Sequence, residues 1–213
     1  MSDIRFDTKW AHADFGLIVA PYAIPQPEPQ TNYIEIPGRD GALDLTEALG
    51  TVRFNDRTVP LIMYALAPFD STVSLLAAYV HGRSRQIIFD RDPHYYYEGR
   101  VVITSVEKNE GYCAIELECR TQPYKYHQTM TTASQSVAGT AAITLTNDRM
   151  PVIPEVTVTA EMTIGYVIGD TTYTKTLAVG THRVSSLVLF EGSTVVNVTG
   201  TGTITFSYRE GAL

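Results

Sequence analysis

The residues best suited to chemistry lie in three places. Asp90, Asp92 and His94 alternate along the chain, and three such side chains could ligate a divalent cation. Pro93 interrupts them, and no glycine or later glutamate completes a calcium loop, so Asp-x-Asp-Pro reads instead as a turn. Asp44 and Glu47 could form an acid and base pair on a sugar, but nothing in the sequence marks either as desolvated, which a general acid needs. Cys113 and Cys119 sit six residues apart in an alternating run, roughly 20 Å along a strand, too far for a disulfide. They are expected as free thiols on the face shared by Ile115 and Leu117. No Gly-x-Ser-x-Gly elbow, phosphate-cradling loop or His-Glu-x-x-His helix is present. The expectation is therefore no catalytic residue, no metal and no cofactor.

These residues need elements to position them. A length of 213 residues with 44% apolar content suffices for one or two cored domains. A formal net charge of −7 without a basic stripe argues against a nucleic-acid-binding surface. No apolar run spans a bilayer, and Asp3, Arg5, Asp7 and Lys9 stand where a signal peptide would be apolar, so the chain is expected to be soluble in the cytoplasm where it is made.

The character of the chain changes near residue 127. Before it lie 12 of the 16 Lys and Arg and 17 of the 23 Asp and Glu, and after it come Thr, Val and Gly in short alternating runs. The shift predicts a first domain over 1–126, a linker over 127–136 and a second domain over 137–213.

In the first domain, 15–20, 33–36 and 59–66 read as strands, with Pro21, Pro25, Pro27 and Pro29 as a stiff extended connector. Ile36 to Gly41 reads as a tight turn with Arg39 and Asp40 at its tip. One helix is predicted, capped by Asp70, with Val73, Leu76, Ala77 and Val80 on one face and Gly82 as the stop. Strands follow at 86–89, 95–106 and 112–120. The second domain is expected to be all strand, with runs at 156–164, 166–175, 184–190, 194–198 and 203–209 and turns at Gly169-Asp170, Gly180, Glu191-Gly192 and Gly200 to Gly202. The fold class is mainly β: a sheet or sandwich domain with one α-helix, then a small antiparallel β-sandwich. Tyr95, Tyr96 and Tyr97 alternate across a strand, and aromatics with polar tips suit an interface.

Four segments taken in order carry a resemblance. Ile-Pro-Gly-Arg-Asp-Gly at 36–41 with Leu-Asp-Leu-Thr-Glu at 43–47, then Phe89 to Arg100, then Pro-Tyr-Lys-Tyr at 123–126, resemble the successive landmarks of the distal tail protein family of siphovirus-type phages and prophages. The resemblance implies a first domain that assembles as a homohexameric ring. It further implies that the ring joins the tail tube to the tail-associated hub protein and carries receptor-binding or baseplate proteins, with DNA only passing through the lumen. The second domain would be galectin-like, and the protein would sit at the virion tail tip after assembly in the host cytoplasm. Arg39, Asp40, Tyr95, Tyr96 and Tyr97 are the expected interface residues. The competing readings are a carbohydrate-binding module for host wall sugar, which needs an exposed aromatic platform, and a wall-degrading glycosidase, which needs a buried carboxylate pair.

Overall fold

The computed structural model describes residues 2–48 and 50–213, and it divides into two compact units, between Lys125 and Tyr126. The first unit contains β1 (Ile4–Phe6), β2 (Lys9–Trp10), α1 (Ala11–Phe15), β3 (Leu17–Val19), β4 (Tyr33–Glu35), β5 (Ala42–Asp44), β6 (Arg57–Leu66), α2 (Phe69–Val80), β7 (Arg83–Phe89), β8 (Tyr95–Lys108) and β9 (Tyr112–Thr121). Its main sheet runs β2-β1-β7-β8-β9-β6-β3, antiparallel at every junction, while β4 and β5 pair only with each other.

Period-two burial explains these strands. In β6 the residues Val59, Leu61, Met63 and Ala65 point into the core while Thr58, Pro60 and Ile62 point out, and in β9 Cys113, Ile115, Leu117 and Cys119 continue the same inner face. Leu76 and Val80 of α2 close over that face, assisted by Phe69, Val73 and Tyr79. Each fully buried aliphatic side chain contributes about 1.5–3 kcal/mol, so the sheet and α2 hold each other.

Two helix expectations are corrected. Asp70 is not the cap: α2 starts at Phe69 after Pro68, without a side-chain cap bond, and Asp70 lies in the first turn, 2.5 Å from Lys108 Nζ. A second helix, α1, was not foreseen. It is a single turn stopped by Gly16 in the left-handed region, φ 65°, a conformation that costs glycine nothing.

β10 (Lys125–His127) leads to the second unit, which holds β11 (Thr131–Asn147), β12 (Glu155–Val158), β13 (Met162–Ile168), β14 (Thr171–Leu177), β15 (Gly180–Arg183), β16 (Gly192–Tyr208) and β17 (Gly211–Ala212). The expected linker at 127–136 is therefore largely strand: β11 begins at Thr131 and pairs with β16 along all 17 of its residues. Ser and Thr fill the first half of β11, and half-buried Ala133 and exposed Gln135 stand where an apolar alternation would have marked the strand.

The glycines at 200 and 202 make no turn either. They lie inside β16, which pairs with β13 through residues 196–200 and with β12 through residues 204–207. Both have positive φ, and a Cβ on either would come within 2.9 Å of the Met162 side chain, so the strand coils sharply where only glycine fits. The run 156–164 is likewise two strands broken near Ala160, and 166–175 is the hairpin of β13 and β14. Residues 184–190 form no strand; Leu187 and Leu189 are buried there with one bridge, Val152 to Leu189. The result is an antiparallel β-sandwich around Val156, Ile164, Val196, Val198, Ile204 and Phe206, and the chain as a whole is mainly β.

Candidate functional site

The arm between β3 and β6 differs from everything around it. Its root is anchored by the chemistry of the Asp90-Arg91-Asp92 turn. Tyr22 is buried, donates to Asp90 Oδ1 at 2.6 Å, packs on Phe89 at 5.0 Å and lies under the Arg91 guanidinium at 4.9 Å. Burial and the Asp90 carboxylate push the Tyr22 phenol far above its ordinary pKa. Asp92 is 2.7 Å from Lys125 Nζ, which lies 4.4 Å over the Tyr95 ring. The alternating carboxylates are thus tied to Tyr22 and Lys125. Among the described residues no three His, Cys, Asp or Glu side chains come together in a way that could hold an ion.

A second anchor was not foreseen from sequence. Arg57, only 3% exposed, donates Nη1 to the Pro25 carbonyl at 3.3 Å and Nη2 to the Pro123 carbonyl, and its guanidinium lies 5.2 Å from the Tyr97 ring centroid. Desolvation lowers its pKa, and the burial is offset by the two carbonyls and the ring, not by a carboxylate. One signal was available: Arg57 sits two residues before Val59, in phase with the inward positions of β6.

Beyond the root the arm carries itself. Pro29 bridges Phe54, and Gln30 N donates to Arg53 O at 2.7 Å, so the two legs run side by side to the hairpin of β4 and β5. Gly38 and Gly41, φ 82° and 76°, flank the tip, and Arg39 N donates to Ile36 O at 3.1 Å. Both faces of this hairpin are in solvent: Tyr33 is 59% exposed, Ile34 46% and Ile36 40%. Arg39 and Asp40 are exposed at the tip and form no ion pair among the described residues.

The other expected site residues fall elsewhere. Tyr97 is core, packed edge-on against Phe89 at 5.2 Å, Tyr96 is buried as well, and Tyr95 is half-buried. Little of Tyr96 or Tyr97 is left to offer a partner. Asp44 and Glu47 are exposed, and the Thr46 hydroxyl and amide hold the Asp44 carboxyl below its ordinary range, the reverse of what a general acid needs. Cys113 and Cys119 are fully buried free thiols, and desolvation pushes Cys119 up to about 12. In the second unit Tyr166, Phe206 and Tyr208 are buried and Tyr173 stacks on Tyr166 at 5.5 Å, which leaves Phe190 alone of the candidate sugar-stacking aromatics in the open.

The main sheet of the first unit has a bare side. On the face opposite α2, Ile62 is 41% exposed, Leu66 57% and Tyr112 41%, with half-buried Ile18, Tyr64 and Ala114 between them. Glu116 and Glu118 border this corner, paired in register with Ile62 and Pro60, and neither forms an ion pair among the described residues.

No family model and no curated protein matches the chain. Among solved structures, it is similar to the crystal structure of the SPP1 Dit (gp 19.1) protein, described as a paradigm of the hub adsorption apparatus in phages infecting Gram-positive bacteria. The likeness has a TM-score of 0.71 and covers 100% of both chains at 15% identity. The chain therefore has the fold of a phage distal tail protein, the fold that the sequence landmarks imply.

Proposed function

We propose that this chain is a structural protein of a phage or prophage tail tip, one that closes into a six-membered ring at the end of the tail tube. In this role the ring joins the tube to the tail-associated hub protein and serves as platform for receptor-binding or baseplate proteins, in the virion rather than in the host cytoplasm where it assembles. DNA crosses the lumen without being bound, in keeping with a net charge of −7.

The observation that carries the reading is the arm. A two-stranded hairpin alone in water is marginal, and a lone domain gains nothing from an extension whose tyrosine and isoleucines are in solvent. The arm is nonetheless held at its root by Tyr22 and a buried arginine. An element anchored at the base and uncovered at the tip is suited to a partner surface, and an arm that fits a different patch on an identical copy makes a head-to-tail contact, the type that closes into rings. Fold likeness to a protein described as a paradigm of the hub adsorption apparatus supports a tail-tip role.

Electron microscopy of the purified protein, alone and with its tail-tube and hub partners, is expected to show rings of six. Single protomers under both conditions would refute the reading.

A further inference from the structure

We infer that Pro123, Tyr124 and Lys125 act as a strap that ties both legs of the arm to the end of the first unit, so that arm root and strap open and move as one body. The inference stands apart from the ring reading, since every contact in it lies within the first unit of a single copy.

Three links carry it, one from each consecutive residue. Pro123 offers its carbonyl to Arg57 Nη2, and the same guanidinium donates Nη1 to the Pro25 carbonyl on the outgoing leg of the arm at 3.3 Å. Tyr124 meets Phe54 of the returning leg edge to face, centroids 6.1 Å apart, and Phe54 is the residue that bridges Pro29. Lys125 Nζ lies 2.7 Å from Asp92, two residues from the Asp90 carboxylate that takes the Tyr22 hydroxyl at 2.6 Å. Both legs are thus held through the same three residues.

The links also close on one another. Tyr22 lies 5.0 Å from Phe89, Phe89 lies 5.2 Å from Tyr97, and Tyr97 lies 5.2 Å from the Arg57 guanidinium. Arg57 is the shared joint, because it is buried and its charge is met by the two carbonyls and that ring. Releasing either carbonyl would leave a desolvated cation short of an acceptor, so the outgoing leg and the strap resist separating one at a time. A contact made at the hairpin is therefore felt where the chain leaves the first unit.

Hydrogen exchange of the full-length protein tests this at three amides: Gln30, bonded to Arg53 O, Asn55, bonded to Glu28 O, and Gln122, bonded to Glu98 O. Tyr22→Phe removes one hydroxyl at the arm end, Lys125→Met one cation at the strap end, and Tyr124→Ala one half-buried ring between them. Each variant is expected to speed all three amides by a common factor, on the order of tenfold, and to leave the Leu117 amide in the middle of β9 unchanged. Acceleration confined to the altered end, or none at any of the three amides, would make arm root and strap separate anchors and overturn the inference. Acceleration of Leu117 by the same factor would mean that the whole unit opens together, and would overturn it as well.

Discussion

Two antiparallel strand pairs in this protein are built on opposite plans. The arm pairs β4 with β5 over three residue pairs and neither strand touches another sheet, whereas β11 and β16 pair over seventeen and β16 gains β12 and β13 along its other edge. The long pair is ordered by its own core, in which Val196, Val198, Ile204 and Phe206 are wholly buried. The short one has no such core, and the proposed ring gives its form a reason outside the single chain. The long pair builds a unit; in the proposed ring the short one reaches from one copy to the next.

Substitutions should separate the two plans sharply. Phe206→Ala in the long strand pair removes a fully buried ring and is expected to cost about 3–5 kcal/mol of unfolding free energy, seen as a large fall in the urea midpoint of the second unit. Gly99→Ala in β8 is expected to cost about 3 kcal/mol, because its Cβ would sit 2.2 Å from Arg120 O and 2.6 Å from Thr121 Cα, backbone atoms that cannot rotate away. By contrast Ile34→Ala in the arm is expected to leave the unfolding midpoint of the isolated protomer within about 0.5 kcal/mol while weakening assembly. If Ile34→Ala destabilised the protomer as a core substitution does, the distinction between the two strand pairs would fail.

A smaller effect concerns pH. The Cys119 thiol is raised from 9.0 to about 12 in the folded state, so the folded form disfavours the thiolate. The stabilisation is fully present below the unfolded value and is lost as pH rises from about 9 towards 12. The alkaline fall in unfolding free energy should therefore be shallower in Cys119→Ala than in the parent, measured as the difference in slope between pH 8.5 and 10.5. Equal slopes would show that the thiol is not shielded.

Where each face of a strand is plainly apolar or plainly polar, the sequence was readable: β6, α2 and β9 stand close to where their alternation and helical period put them. Legibility failed where small or polar residues break the apolar alternation. Ala133 and Gln135 hid the start of β11, and Gly200 and Gly202 imitate a turn because the same freedom that makes turns lets β16 coil past Met162. The Asp90-Arg91-Asp92 turn was recognisable, yet its role as the socket for Tyr22, 68 residues away in sequence, depends on packing that spacing does not encode. Arg39 and Asp40 at an exposed tip could be placed from their flanking glycines. The burial of Tyr96 and Tyr97 could not, since alternation tells which face a residue takes and not whether that face is covered.

The most direct test removes the arm alone. Gln30 N and Arg53 O are 2.7 Å apart, so residues 31–52 can be replaced by a two-residue Asn-Gly turn without straining the root. Light scattering coupled to gel filtration is expected to give six times the protomer mass for the parent and a single protomer mass, with an unchanged circular dichroism spectrum, for the armless protein. An armless protein that still assembles into sixes would contradict the account.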